Sequence, residues 1–112
     1  MSSTPVQTFM GFDIHIGKNK QDNWNLIDQS NKHDIWFHVS NGPSSHIILK
    51  TNGSPLRDIP KQVITRCACL CKAHSASKSI TKCEIIYTQI ENVVKTTRVG
   101  EVTTTNTKTI FI

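Results

Sequence analysis

The stretch from Asp34 to Val39, Asp-Ile-Trp-Phe-His-Val, decides the fold more than any other part of the sequence. Successive side chains of a β-strand point to opposite faces, so this alternation predicts a strand with Ile35, Phe37 and Val39 on one face. We expect the Phe37 ring to lie in the hydrophobic core. The opposite face carries Asp34, Trp36 and His38.

A turn and a second strand follow this segment directly. Residues 40–45, Ser-Asn-Gly-Pro-Ser-Ser, have the composition of a turn. The run from His46 to Lys50 then predicts a strand that returns antiparallel to the first. His38 and His46 lie at the two ends of this hairpin turn, and we expect them to be close neighbours across it.

The rest of the sequence predicts further strands and two helices around this hairpin. Asp22 is expected to cap a short helix that closes near Ser30. An apolar stripe at helical spacing predicts the main helix over residues 59–74. The other expected strands lie at 12–16, at 83–88, at 90–95 and in the Thr-rich segment 99–112.

The length and composition of the chain fit one compact domain. It has 112 residues, of which 37% are hydrophobic and 19% are charged, and domains commonly contain about 100–150 residues. We therefore predict a single α+β domain over residues 1–112, with residues 1–9 as a loose N-terminal lead. Its sheet is expected to be mostly antiparallel, with about five strands, and to carry one main helix and a shorter one.

The charge of the chain is positive and unevenly distributed. Thirteen Lys and Arg side chains against eight Asp and Glu give a net charge of +5, and residues 41–72 contribute five bases against a single acid. A basic excess gathered in one stretch suggests a polyanionic partner, of which nucleic acid is the commonest inside cells. The excess is equally compatible with the ordinary charge balance of a protein surface.

The sequence contains no segment that suggests membrane insertion or secretion. The longest apolar runs, such as Ile47–Leu49, are far shorter than the ~20 residues that span a bilayer. The first five residues, Met-Ser-Ser-Thr-Pro, lack the basic and apolar regions of a secretory signal. We therefore expect a cytoplasmic protein without a membrane partner.

The four cysteines do not have the spacing of a zinc site. Cys67, Cys69 and Cys71 are separated by single residues, whereas zinc ligands usually come in pairs with two to four residues between them. On a helix Cys69 points away from the other two, so the three thiols cannot converge on one ion. Buried free thiols are the preferred interpretation, and we predict neither a metal nor another cofactor.

The chain lacks the residue patterns of the common catalytic sites. No nucleophile with an associated base, no paired carboxylates and no glycine-rich phosphate loop can be recognised, which favours a protein that is not an enzyme. His38 and His46 are compatible with structural hydrogen bonding, ligand contact or acid–base catalysis. Trp36 either packs in the core or offers its ring face to an unpaired base.

Several short motifs resemble the NFACT-R domain family. The most specific is Asp-Ile-Trp-Phe-His at residues 34–38, followed by Ser-His at 45–46, and Gly-Lys-Asn at 17–19 and Thr-Asn-Thr-Lys-Thr-Ile-Phe at 105–111 add to it. The resemblance runs over residues 12–112. The chain is similar to stand-alone eukaryotic members that append a coiled-coil tail, and it is related to the C-terminal domain of the NEMF and RqcH ribosome quality-control factors.

This resemblance implies an RNA-binding module without enzymatic activity. The expected ligand is transfer RNA (tRNA) or ribosomal RNA, in translation or ribosome quality control, with the ribosome or translation factors as further partners. Lysines would contact phosphates, while Trp36, His38 and His46 would form a more selective surface near unpaired bases or the ribose. A protein-docking module on a translation factor and a small His-dependent nuclease are the alternatives. The expected RNA-binding residues, with Lys50 added on its charge alone, are Lys18, Asn19, Lys20, Trp36, His38, Ser45, His46, Lys50, Lys72 and Lys78.

Overall fold

The computed structural model describes residues 5–76 and 78–112 of the chain. The strands are β1 (Val6–Phe9), β2 (Phe12–Ile16), β3 (Ile35–Val39), β4 (Ile47–Leu49), β5 (Glu84–Gln89), β6 (Val93–Lys95), β7 (Val102–Thr104) and β8 (Lys108–Phe111). The helices are α1 (Lys20–Gln29) and α2 (Lys61–Ala73), with short 3₁₀ helices at Leu56–Asp58 and Ile90–Asn92. Neither α1 nor α2 is long and apolar enough to cross a membrane.

Six strands form one antiparallel sheet in the order β1-β2-β4-β3-β5-β8, and β6 pairs with β7 in a separate two-stranded sheet. Strand β3 lies inside the large sheet, where Phe37 is opposite Ile47 of β4 on one side and Tyr87 of β5 on the other. The predicted α+β class and the antiparallel sheet are confirmed. The sheet has six strands rather than about five, because a strand forms where the sequence suggested a loose lead.

The two faces of β3 pack against different layers. Phe37 is fully buried in a core between the sheet and α2, to which the helix contributes Val63 and Cys67. Trp36 lies in a second, smaller core on the opposite face, where Leu26 of α1 and residues of β6 and β7 cover it. The predicted division of β3 into two faces is therefore confirmed, and both faces are buried.

Strand β1 occupies the part of the chain for which the sequence suggests a loose lead, residues 1–9. Val6–Phe9 pairs antiparallel with β2, and only two residues join the strands. These residues, Met10 and Gly11, both have positive φ values, 52° and 84°, as a type I′ hairpin turn requires. The sequence does not predict this turn, because Met occupies its first position, where Asn, Asp or Gly is usual. Residues 1–4 of the predicted lead lie outside the described residues.

Helix α1 begins earlier than the sequence predicts. The N-cap is Asn19 rather than Asp22, and its Oδ1 accepts a hydrogen bond from the Asp22 N–H (2.8 Å). Asp22 Oδ2 in turn accepts a hydrogen bond from the main-chain N–H of Lys18 (2.8 Å). Asn and Asp are equally good caps, so the sequence alone does not choose between them. This reciprocal arrangement, similar to a capping box, fixes the basic segment at the first turn of the helix.

The Thr-rich segment forms two strands rather than one. β7 pairs with β6, and β8 pairs with β5 at an edge of the large sheet. Between β7 and β8 the chain turns through Asn106, whose φ of 53° lies in the left-handed region. Asn tolerates this conformation better than most residues, so it allows the chain to change sheets here.

Three of the four cysteines are buried and one is exposed. Cys67, Cys71 and Cys83 lie in the core below α2, whereas Cys69 is on the outer face of that helix, and all four thiols are free. Burial raises the pKa of Cys67 and raises that of Cys71 to about 12, so both thiols are protonated at neutral pH. Among the described residues, no group of three or more His, Cys, Asp or Glu is placed to hold a metal ion.

We predict that Phe37→Ala lowers the free energy of unfolding by ~3–5 kcal/mol, because it empties a fully buried site between the sheet and α2. Urea denaturation followed by circular dichroism measures this loss. Val94→Ala is the matched control, since Val94 is an exposed strand residue and its truncation should cost within about 0.5 kcal/mol. A Phe37 variant as stable as the wild type would contradict the assignment of this face to the core.

Candidate functional site

A cleft of about 370 Å³ lies where three parts of the chain meet: the start of α1, the turn before β4 and the segment that follows α2. We call it the cationic cleft, because lysines from two distant parts of the sequence line it. None of the described residues that line it is acidic. It brings together five of the residues predicted to bind RNA. Its lining includes Lys18, Asn19, Lys20, Ser45, His74 and Lys78.

Main-chain hydrogen bonds hold the walls of the cationic cleft together. The Ser45 N–H donates to the carbonyl oxygen of His74 (3.1 Å), and Ser44 forms an isolated β-bridge with Ser75. These contacts join the turn before β4 to the chain that leaves α2. The segment that carries Lys78 is therefore held opposite the start of α1.

Gly17 and Asn23 join α1 to the sheet beside the cleft. Asn23 Oδ1 accepts a hydrogen bond from the main-chain N–H of His46 (3.1 Å), and the Gly17 N–H donates to the carbonyl oxygen of His46 (2.9 Å). A Cβ atom on Gly17 would come within 1.8 Å of Asn23 Oδ1, so this position has no room for a side chain. The junction fixes the first turn of α1 against the start of β4.

A second cavity, of about 360 Å³, lies on the Trp36 face of the sheet, and we call it the aromatic pocket. The Trp36 and His38 rings are parallel, with centroids 5.6 Å apart. The His46 ring meets them edge-on, at 5.4 Å from Trp36 and 5.3 Å from His38, so the two histidines are neighbours, as predicted. The lining includes Trp36, His38, His46, Ile86, Gly100, Glu101, Val102 and Thr104.

Both histidines of the aromatic pocket are weak bases. Burial lowers the pKa of His46 to about 3, and the nearby His38 adds to the effect. Burial also lowers the pKa of His38, against the opposing influence of the hydrogen bond that its Nδ1–H donates to the Val39 carbonyl oxygen. Both rings are therefore neutral at physiological pH.

Trp36 does not present an open ring face. The side chain is 2% exposed, because it packs with Leu26 of α1 and Ile48 of β4 beneath the small sheet. Of the two interpretations of this residue, the structure favours core packing over a stacking platform. An edge of the indole still borders the aromatic pocket.

Lys50 and Lys72 line neither cavity. Lys50 Nζ lies 3.3 Å from the buried carboxylate of Asp34 and 3.4 Å from the carbonyl oxygen of Gln29 at the end of α1. Lys72 Nζ donates to the carbonyl oxygen of Ile112 (3.1 Å) and so connects α2 to the end of β8. The ammonium groups of Lys50 and Lys72 make contacts that support the fold. They lie outside the cleft that holds Lys18, Lys20 and Lys78.

The wall of the aromatic pocket includes residues that the sequence did not suggest as site residues, notably Gly100 and Glu101. Gly100 has a φ of 84°, and a Cβ atom there would come within 2.8 Å of the Lys20 Cβ. A glycine within a Thr-rich, strand-forming segment is a signal of close backbone approach. This signal is present in the sequence at Gly100, but it does not identify the element that approaches it.

Comparison with known proteins assigns this architecture to a family. The family model described as "NFACT protein RNA binding domain" matches residues 6–108. The chain belongs to this family. The match confirms the resemblance that the Asp-Ile-Trp-Phe-His and Ser-His motifs carry.

Curated relatives share this NFACT-R domain with the chain. Coiled-coil domain-containing protein 25 from Bos taurus is 38% identical over 87 residues, which cover 76% of this chain and 42% of that protein. Rqc2 homolog RqcH from Bacillus subtilis is 28% identical over 105 residues, which cover 91% of this chain and 18% of that protein. The chain spans less than half the length of each of these relatives.

A solved structure has the same fold. It is the C-terminal part of the fibronectin/fibrinogen-binding protein from Streptococcus suis, which superimposes with a TM-score of 0.87 at 24% sequence identity. The match covers 100% of this chain and 46% of that one. The fold is therefore retained where most side chains differ.

We predict that Gly17→Ala lowers the free energy of unfolding by about 1–3 kcal/mol, because the added methyl group overlaps Asn23 Oδ1. Asn23→Ala should cost about 1–3 kcal/mol, since it leaves the buried His46 N–H without its partner. The double variant removes the overlap, so the two losses should not add. Urea denaturation of the four proteins measures this coupling, and strictly additive losses would contradict the clash.

Stability should fall on acidification through His46. Its pKa is about 3 in the folded protein against an ordinary 6.5, so between these values the unfolded chain binds more protons. The contribution is complete above pH 6.5 and is lost as the pH falls toward 3. His46→Phe should therefore flatten the pH dependence of the free energy of unfolding by about 1 kcal/mol per pH unit between pH 6 and pH 4. If the free energies of unfolding of variant and wild type, measured by urea denaturation, change with pH in parallel across this range, the linkage to His46 is ruled out.

Proposed function

We propose that this NFACT-R domain binds RNA without cleaving it, with the sugar–phosphate backbone lying in the cationic cleft. The observation that carries the proposal is the convergence of Lys18, Lys20 and Lys78 on one cleft whose described lining contains no acid. Lysine ammonium groups neutralise phosphates and release their counterions, which provides affinity. The description of the family as an RNA-binding domain supports RNA as the polyanion.

Neutral groups in the cationic cleft suit the contacts that position a nucleic-acid backbone. The Ser45 hydroxyl and the Asn19 side-chain amide are the kinds of group that donate to phosphate and ribose oxygens. Helix α1 begins at the cleft, but the Asp22 carboxylate in its first turn already accepts the Lys18 N–H, so the lysines rather than the helix terminus supply the positive charge. These contacts are independent of base sequence, so the cleft accounts for affinity rather than selectivity.

We further propose tRNA or ribosomal RNA as the ligand, in translation or ribosome quality control. This proposal follows the larger quality-control factors to which the domain is related, among them the RqcH relative. The ribosome or translation factors would then be neighbouring partners, and the cytoplasm the compartment. Of the ten expected contact residues, five lie at the cleft: Lys18, Asn19, Lys20, Ser45 and Lys78. Three more, Trp36, His38 and His46, lie at the aromatic pocket.

The histidine pair supports binding rather than cleavage. A histidine-dependent nuclease needs a protonated imidazole to donate to the leaving group, whereas His46, with a pKa of about 3, stays neutral. Both rings line the aromatic pocket and not the cationic cleft. RNA should stay intact during long incubation with the protein and divalent metal, and cleavage that His38→Ala abolishes would contradict this assignment.

The test of the cleft is an anisotropy titration of labelled single-stranded RNA at several salt concentrations. We expect Lys18→Ala and Lys78→Ala each to weaken binding, and each to reduce the slope of log affinity against log salt by about 0.7, the value for one phosphate. Lys61→Ala is the matched control, because it removes an exposed ammonium group at the other end of α2. This control should leave affinity and slope unchanged.

Two results would contradict the proposed cleft: binding that does not respond to salt, and equal weakening by all three substitutions. A pull-down from lysate with and without nuclease addresses the protein-docking alternative. A partner held through RNA is lost after digestion, whereas a protein docked directly on the domain is retained.

A further inference from the structure

Two buried polar atoms at the aromatic pocket have no hydrogen-bond partner among the described residues: Trp36 Nε1 and His46 Nδ1. The two side chains are 2% and 1% exposed, and both line the pocket. Buried polar groups in folded proteins are nearly always paired. Two unpaired atoms on residues that line one cavity therefore point to a partner from outside the chain, which the side chains must shift slightly to meet.

The two atoms have opposite hydrogen-bonding character. An indole nitrogen is always a donor. The main chain of Gly100 raises the pKa of the His46 ring, as a carbonyl oxygen that accepts from an imidazole N–H does. With Nδ1 unpaired, the tautomer that fits this environment carries its proton on Nε2. Nδ1 of this neutral ring is therefore an acceptor. The two buried, unpaired atoms therefore provide one donor and one acceptor, beside polar lining residues such as Glu101 and Thr104.

A nucleobase has the chemistry that matches this combination. Each RNA base presents hydrogen-bond acceptors beside N–H donors on its pairing edge, and proteins read unstacked bases on such edges. A flat ring also suits a cavity of about 360 Å³ walled by the aromatic Trp36 and His38 and the apolar Ile86 and Val102.

The aromatic pocket and the cationic cleft are neighbours. Ser45 lines the cleft, and the next residue, His46, lines the pocket. Lys20 also lines the cleft. Its Cβ atom lies close to Gly100 of the pocket wall, where an added Cβ atom would come within 2.8 Å of it. A polymer lying in the cleft can therefore direct a base toward the pocket.

We infer that the aromatic pocket receives one unpaired nucleobase of the RNA whose backbone lies in the cationic cleft, and that Trp36 Nε1 and His46 Nδ1 bind its polar edge. This inference rests on the proposed function. The domain then prefers single-stranded to fully paired RNA, because a base within a duplex already uses its pairing edge and must leave the stack to enter a pocket.

Trp36→Phe tests the inference, because Phe keeps an aromatic ring in the core and removes the indole N–H. Anisotropy titrations compare a short single-stranded RNA of mixed sequence with the blunt duplex of the same sequence. We expect the wild type to bind the single strand more tightly, and Trp36→Phe to weaken single-strand binding about tenfold without changing duplex binding. Tyr87→Phe is the matched control, because it also removes one polar hydrogen from an aromatic side chain but lies on the opposite face of the sheet, outside both cavities. It should leave both affinities unchanged.

The outcomes separate this inference from the proposed function. Failure of the wild type to bind either RNA would overturn both. Equal affinity for single strand and duplex, or a folded Trp36→Phe protein with unchanged single-strand affinity, would overturn the inference alone and leave the cleft proposal in place.

A second measurement applies if Trp36→Phe does not fold. The chain has two tryptophans, so Trp36 is the only indole in the Trp24→Phe protein. A base in the pocket should quench its emission as single-stranded RNA is added. Constant emission while anisotropy shows saturation would overturn the inference.

Discussion

One hydrogen bond, from the main-chain N–H of His46 to Oδ1 of Asn23, joins helix α1 to the sheet where the two cavities meet. It depends on Gly17, because any larger residue would occupy the space of the Asn23 amide. The main chain of His46 is hydrogen-bonded to α1 and to Gly17, which precedes that helix. The ring of His46 lines the aromatic pocket. A change in the position of α1 would therefore alter the cationic cleft and the aromatic pocket together.

The alternation along β3 predicts which of its side chains face α2, because the period of a strand is fixed by backbone geometry. It does not predict how far Trp36 is exposed, since part of the cover on that face comes from β6 and β7, far along the chain. Lys50 and Lys72 show the same limit. Their charge is visible in the sequence, but their partners, Asp34 and Ile112, are brought to them only by folding.

The sequence predicts which residues belong to the candidate site, but it does not predict how they are arranged. Family motifs and charge name Lys18, Lys20 and Lys78, but nothing in the sequence places them on one cleft. That placement requires the bond between Ser45 and His74, which holds the end of α2 to the turn before β4. The structure also separates two kinds of chemistry that the sequence treats as one surface. Lysines line the cleft, whereas the aromatic rings of Trp36, His38 and His46 line the pocket, whose wall also includes Glu101.

The distribution of cysteines makes the native chain suitable for attaching a spectroscopic reporter. Cys67 and Cys71 are buried thiols with raised pKa values, and Cys83 is also buried, whereas Cys69 faces solvent and can react. A maleimide dye would therefore modify one position of the unaltered protein. That position is on the outer face of α2, outside both cavities, so energy transfer to a labelled oligonucleotide could follow complex formation without obstructing it.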